Sequence, residues 1–207
     1  NRRKASESGS NIKIIMITVG FYKGHNATAS LLKDGQIIAA VSEERFNRIK
    51  NADVFPRVAI NYCLKKAGVS AQDVDLYVRI YEHPEGYVSP TGETKNPKLM
   101  DIILYPSKYL KKLTFNYPSF GFLLKNTYMF ISEYILTPIF KMQFRANMAK
   151  FLGVDEKKIT FANHHLCHAY AAYYGFVSKL DQKKNQLVIT IDGEGDSLCS
   201  TVWTVKQ

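Results

Sequence analysis

Two stretches of this chain share one grammar, and no other feature narrows its fold as much. Ile12 to Gly20 is an apolar, β-branched run that ends in glycine, passes through a polar loop at Phe21 to Asn26 and resumes as the apolar stretch Ala27 to Leu32. The pattern returns near the other end: Gln186 to Ile191 reads as a buried strand, Asp192 to Asp196 as a turn holding Gly193 and Gly195, and Leu198 to Val205 as the strand coming back. Apolar runs bounded by turn residues predict strands, and each pair predicts a hairpin. Recurrence of the same opening predicts a duplicated, two-lobed α/β molecule.

The residues between the hairpins fill in the first lobe. Asp34-Gly35 is a tight turn in which both central residues need positive φ, and it leads into Gln36 to Ser42, giving three successive antiparallel strands. A helix is expected from Phe55-Pro56, with Pro56 suited to its first position, Val58, Tyr62, Leu64 and Ala67 on its apolar face and Gly68 at its end. Val74 to Ile80 reads as a strand, Glu82 to Pro97 as a loop, and 98–150 as helices broken near Pro106, Pro118 and Pro138. Lys158 to Ala162 then reads as a short strand and His164 to Tyr174 as a helix.

Duplicated lobes that hold a ligand between two glycine hairpins belong to the actin-like ATPase (ASKHA, ribonuclease H-like) superfold. The chain resembles its first lobe and the start of the second, with a helical insertion at about 95–150 and a disordered lead-in at 1–11. On that reading the chain stops two strands into its second lobe and presents a sheet edge for another segment to cover.

Composition narrows the class further. Hydrophobic residues make up 46% and charged residues 22%, which excludes disordered and collagen-like chains. The net charge of +10 is concentrated: residues 95–150 carry 9 basic and 2 acidic groups, whereas 151–207 carry 6 of each. Such a local excess fits a phosphorylated or acidic ligand, a lipid headgroup or a solvated surface. Phe120 to Phe140 is the most apolar long stretch, but Lys125, Glu133 and Pro138 interrupt it. An amphipathic helix is expected there, with no transmembrane segment. Cys63, Cys167 and Cys199 are far apart with no CxxC pair, which excludes a disulfide framework and points to the cytoplasm.

The sharpest chemical signal is Asn163-His164-His165-Leu166-Cys167-His168. On a helix, His164 and His168 face one side and are close enough to share a divalent metal, while His165 points about 100° away. The zinc-protease motif needs glutamate directly after the first histidine, where His165 stands, so that chemistry is excluded. Asp192, at the end of a buried strand, is the best third ligand, and Gly193 and Gly195 would let backbone amides approach a phosphate. Imidazole with carboxylate suits iron(II), zinc or manganese. Elsewhere, Gly24, His25 and Asn26 lie in the first hairpin loop, where His25 is a candidate proton acceptor. Arg45, Arg48 and Lys50 are candidate phosphate partners, although Glu43 and Glu44 are equally placed to pair with them.

Taken together, Gly24–Gly35 (GHNATASLLKDG), Ser42–Lys50 (SEERFNRIK), Asn163–Ala169 (NHHLCHA) and Asp192–Asp196 (DGEGD) resemble, in order and spacing, the NodU/CmcH carbamoyltransferase family, which includes tobramycin carbamoyltransferase. The resemblance covers about 12–63 and 159–205, and little of 95–150 takes part in it. It implies a Kae1-like domain that transfers a carbamoyl group to the hydroxyl of a small-molecule or glycan acceptor. A YrdC-like domain, expected beyond this chain, would make carbamoyl-adenylate from carbamoyl phosphate and ATP. The resemblance also assigns His164, His168 and Asp192 to iron, with a fourth ligand beyond Gln207. Asn26 stands where many members carry aspartate, which leaves an acid/base role there open.

Three other readings compete. A kinase of the same superfold would hold magnesium through carboxylates and water and leave the histidine pair without a purpose. A threonylcarbamoyl transferase acting on tRNA shares the paired histidines, but the EERF segment favours the small-molecule branch and so counts against a nucleic-acid partner. A non-catalytic binding fragment is the third.

Overall fold

The computed structural model describes residues 15–24, 26–81, 137–176, 184–196 and 198–206, with isolated helical positions between 123 and 135. The lead-in, His25, the 82–97 loop and most of the insertion fall outside these residues.

Strands β1 (Ile17–Tyr22), β2 (Thr28–Lys33) and β3 (Gln36–Ser42) form the expected antiparallel meander. Asp34 and Gly35 both take positive φ, 52° and 75°, as the two-residue turn requires. Strand β4 (Leu76–Ile80) lies parallel to β1, and β5 (Ile159–Ala162) parallel to β4, giving one mixed sheet in the order β3-β2-β1-β4-β5. The second hairpin, β6 (Gln186–Gly195) and β7 (Leu198–Val205), makes a separate two-stranded sheet. Its first strand runs past the expected end at Ile191, through a register shift, to Gly195, so the turn is shorter than the sequence suggests.

Alternation along β1 buries Ile17, Val19 and Phe21 on one face. Across the sheet, Leu31, Val19, Tyr77 and Ile159 stand in one row. Each buried side chain of this size contributes roughly 1.5–3 kcal/mol, which outweighs the cost of about 1 kcal/mol for a glycine, here Gly20, inside a strand. Helices α2 (Arg57–Ala67) and α3 (Thr137–Leu152) cover this face; the short α1 (Glu44–Asn47) lies beside β3.

The buried face of α2 is Ala59, Ile60, Cys63 and Leu64; of the expected set only Leu64 is fully in the core, and Val58 is 45% exposed. The helix is turned by its N-terminal anchor. Glu43 is buried, and its carboxylate accepts the backbone N–H groups of Val58 and Ala59 at 3.1 and 2.7 Å. Glu43 therefore neutralises a helix start rather than the neighbouring cations. Gly68 closes α2 at φ 65°.

The last helix of the expected insertion is part of the main core. Phe140, Phe144, Met148 and Leu152 recur every four residues along α3 and are all buried. They meet an unexpected core residue, Arg79 of β4, which is 1% exposed. Its guanidinium lies 4.9 Å from the Phe144 ring centre and 5.1 Å from that of Phe140, and Nη1 donates to the Tyr81 carbonyl at 2.8 Å. Aromatic faces and a carbonyl replace water around the cation. Among the described residues no helix is long and apolar enough to cross a membrane.

Strands β1, β3, β4 and β5 all run in one direction, so their C-terminal ends share one edge of the sheet. Gly24 and Asn26, the Glu43–Lys50 segment, Tyr81 and Asn163-His164 all follow from that edge. In open α/β sheets ligands bind beyond such strand ends.

Candidate metal centre

Helix α4 (His164–Phe176) starts where β5 ends. Asn163 caps it, its Oδ1 accepting the Leu166 N–H at 3.0 Å. Asp196, reaching over from the β6–β7 turn, accepts the His164 N–H at 2.7 Å through Oδ2 and sets a carboxylate at the positive helix end.

From this start His164 and His168 project together. Their Nε2 atoms lie 2.9 Å apart, and Asp192 Oδ2 is 2.5 Å from the first and 3.3 Å from the second. Ligands on adjacent positions around an ion at about 2.1 Å stand about 3 Å from one another, so these three atoms fit the donor set of a single divalent cation. The His164 hydrogen bond, followed by the Gly193 amide at 2.7 Å, holds the Asp192 carboxyl down to about 2, so a charged oxygen faces the imidazoles at neutral pH. Cys167 is no thiolate donor, because burial first and the Asp196 charge second push its thiol up to about 11.

The glycines of the second hairpin act at close range. Gly193 directs its N–H to Asp192 Oδ1, and a Cβ on Gly195 would overlap the His164 ring. Beside the approach to phosphate expected of these glycines, Gly193 orients the carboxylate and Gly195 makes room for the imidazole.

Tyr81, absent from the sequence reading, packs its ring against His164 with centroids 4.6 Å apart. It takes φ 86°, rare for a tyrosine, and is held there by the Arg79 hydrogen bond to its carbonyl and by its own N–H donating to Ala162 O at 3.0 Å. On its other side Tyr81 stacks on Tyr22 at 5.7 Å, and Tyr22 in turn fills the space that a Cβ on Gly24 would occupy. The first hairpin loop is thus tied to the histidine pair through two tyrosine rings. No sequence signal marks Tyr81, whereas Asn163 carries an ordinary N-cap signal.

The remaining candidates stand apart. Asn26 takes φ 69° in the exposed first loop, and His25 lies outside the described residues. Arg45, Arg48 and Lys50 are exposed at the β3 margin, where Arg48 closes α1 at φ 61°. At about 4.8 Å per strand, β3 and β5 are on the order of 19 Å apart. Arg45 approaches Glu44 only at 3.9 Å, and Glu44 also accepts the Asn51 N–H at 3.2 Å.

A family model described as carbamoyltransferase N-terminus matches residues 13–207. Among curated proteins, nodulation protein NolNO of Sinorhizobium fredii is 33% identical over 175 residues, covering 83% of this chain and 20% of that protein. An uncharacterized protein of Synechocystis is 31% identical over 190 residues, covering 87% and 26%. An uncharacterized protein of Methanocaldococcus jannaschii is 29% identical over 180 residues, covering 87% and 23%. The chain thus spans about a fifth to a quarter of the length of these relatives.

Proposed function

The chain belongs to the carbamoyltransferase N-terminus family, and from that premise we propose that it forms the metal-binding part of an O-carbamoyltransferase. The reaction moves a carbamoyl group from carbamoyl phosphate, by way of carbamoyl-adenylate made with ATP, to a hydroxyl of a small-molecule or glycan acceptor. The adenylate comes from a YrdC-like domain elsewhere in the protein, which acts in the cytoplasm. One observation carries the metal part of this reading: His164, His168 and Asp192 bring one ligand atom each to within 4.8 Å of one another.

The actin-like superfold reading draws its support from the sheet order β3-β2-β1-β4-β5, with three antiparallel strands followed by two parallel ones, and from the second glycine hairpin. The donor set suits iron(II). When bound, such a cation supplies positive charge against phosphate or carbonyl oxygen. His164 and His168 hold it from one helix flank, and Asp192 supplies the anionic ligand. The Gly193 amide keeps that carboxylate turned toward the imidazoles. Arg45, Arg48 and Lys50 offer a cationic margin at the same sheet edge for a phosphate-bearing ligand. His25 and Asn26, in the loop beside Gly24, are the acceptor-side groups, with His25 taking the hydroxyl proton. Holding donor and acceptor in line supplies much of the acceleration.

Metal analysis after anaerobic iron(II) loading tests the centre. Wild-type chain is expected to retain iron near one equivalent, and His164→Ala, His168→Ala and Asp192→Asn to lose it. Unchanged iron content in these variants overturns the site. Carbamoyl transfer from carbamoyl phosphate and ATP to hydroxyl acceptors, assayed in the full-length protein, tests the reaction.

A further inference from the structure

His165 sits beside a proposed ligand, faces away from it and is fully buried, with 0% exposure. Its Nε2 is 2.9 Å from the Leu198 carbonyl oxygen and its Nδ1 2.8 Å from Thr190 Oγ1. A carbonyl only accepts, so Nε2 carries the ring proton, and the bare Nδ1 accepts from the Thr190 hydroxyl. Thr190 Oγ1, its own proton committed, accepts from Thr201 Oγ1 at 2.6 Å, its partner in the β6–β7 register. Thr201 accepts in turn from the Trp203 indole at 2.6 Å, a group that only donates. Every proton in the series points one way, from Trp203 to Leu198.

We propose that His165 is a positioning residue: this one-way series holds it as the Nε2–H tautomer and sets the rotation of α4 that aims His164 and His168 at Asp192. Successive helix residues turn by 100°, so His164 lies about 100° and His168 about 60° to the same side of His165. The two imidazoles are therefore separated by about 40°, and fixing the direction of His165 fixes both. The anchor and the ligand also share a strand, because Thr190 and Asp192 are two residues apart on β6 and project toward the same side. Partners that hold a ligating side chain's direction are commonly worth 10–100-fold in metal affinity. The inference rests on the metal reading above, and its readouts extend beyond metal binding.

Thr190→Val removes the hydroxyl and keeps the β-branched shape; Thr190→Ser restores the hydroxyl. With Co(II) as the probe, followed by its visible absorption, Thr190→Val is expected to weaken binding at least about tenfold, with Thr190→Ser recovering most of it. In the metal-free chain, histidine-selective nitrogen NMR is expected to show a bare, hydrogen-bonded His165 Nδ1 in wild type and Thr190→Ser, and a bare Nδ1 whose shift moves to that of an acceptor without a hydrogen bond in Thr190→Val, the Leu198 carbonyl keeping the proton on Nε2. Ring-proton contacts between His164 and His168, whose centroids lie 4.5 Å apart, are expected to weaken in Thr190→Val. Should Thr190→Val not fold, Thr201→Val, one link further from the ring, takes its place. Unchanged ring contacts and an unchanged Nδ1 shift in the hydroxyl-free variant overturn the proposal. Failure of wild type to bind Co(II) counts against the metal reading alone, since the ring contacts still decide the positioning role.

Discussion

Asp196 stands 32 residues after His164, yet its Oδ2 accepts the His164 backbone N–H at 2.7 Å. A turn of the second hairpin therefore caps the helix that carries the histidine pair, and helix and hairpin are joined at the point where the three candidate ligands meet. Asp196 also takes φ 49°, a left-handed conformation that asparagine tolerates and alanine does not.

Replacing Asp196 separates its charge from the cap and the turn conformation. Asp196→Asn keeps an acceptor and the turn conformation and loses only charge. Asp196→Ala loses the cap and strains the turn, at about 2 kcal/mol for the two together. Urea unfolding is expected to rank wild type above Asp196→Asn and Asp196→Asn above Asp196→Ala. Equal midpoints for wild type and Asp196→Ala would show that the cap contributes nothing.

The two glycines at the end of β6 are expected to behave oppositely. A Cβ on Gly195 would overlap the His164 ring, whereas one on Gly193 meets nothing within 4 Å, and neither glycine takes a positive φ. Gly195→Ala must push the imidazole away from Asp192 and is expected to reduce Co(II) affinity by an order of magnitude or more. Gly193→Ala leaves affinity close to wild type. Equal affinities for the two variants would mean that the imidazole position is not set by the turn.

Features governed by local geometry were legible in the sequence. Asp34-Gly35 reads as a turn needing two positive φ values, and His164 with His168 reads as a pair on one helix flank, because both follow from spacing alone. What escaped depends on contacts between distant segments. Arg79 sits on the core face of β4 because three aromatic rings from α3 and β5 surround it, and nothing in its own neighbourhood predicts that. Tyr81 reaches His164 only because β4 and β5 end side by side. The apolar face of α2 was misassigned at Val58 because a buried carboxylate, and not the helix's own periodicity, sets its rotation.

Glu43 supplies the corresponding test in the first lobe. Two amides at the start of α2 donate to its carboxylate in a buried site, so removing the acceptor leaves orphaned donors away from water. Glu43→Ala is expected to cost about 2–3 kcal/mol, whereas Arg45→Ala and Arg48→Ala, at exposed positions, stay within about 0.5 kcal/mol of wild type. Thermal unfolding of the three variants checks the order. A Glu43→Ala protein as stable as Arg45→Ala would mean that the carboxylate does not anchor the helix.

The three free thiols report on the same packing without any substitution in the core. Cys199 is exposed on β7, Cys63 is buried with Sγ 3.6 Å from the Ala29 carbonyl, and Cys167 is half-buried beside the helix start. Burial raises the Cys63 thiol, and burial with the Asp196 carboxylate raises Cys167 to about 11. A raised thiol pKa means less thiolate at pH 8, so alkylation at Cys167 is slow there and speeds up about tenfold per pH unit until pH approaches 11. Mass spectrometry after a brief pulse of iodoacetamide at pH 8 is expected to find label on Cys199 first, little on Cys167, and none on Cys63 until urea unfolds the chain. Because the Asp196 charge is part of what raises Cys167, Asp196→Asn is expected to speed labelling at Cys167 and leave Cys199 unchanged. Fast labelling of Cys63 in the native chain would mean that α2 does not lie against the sheet as described.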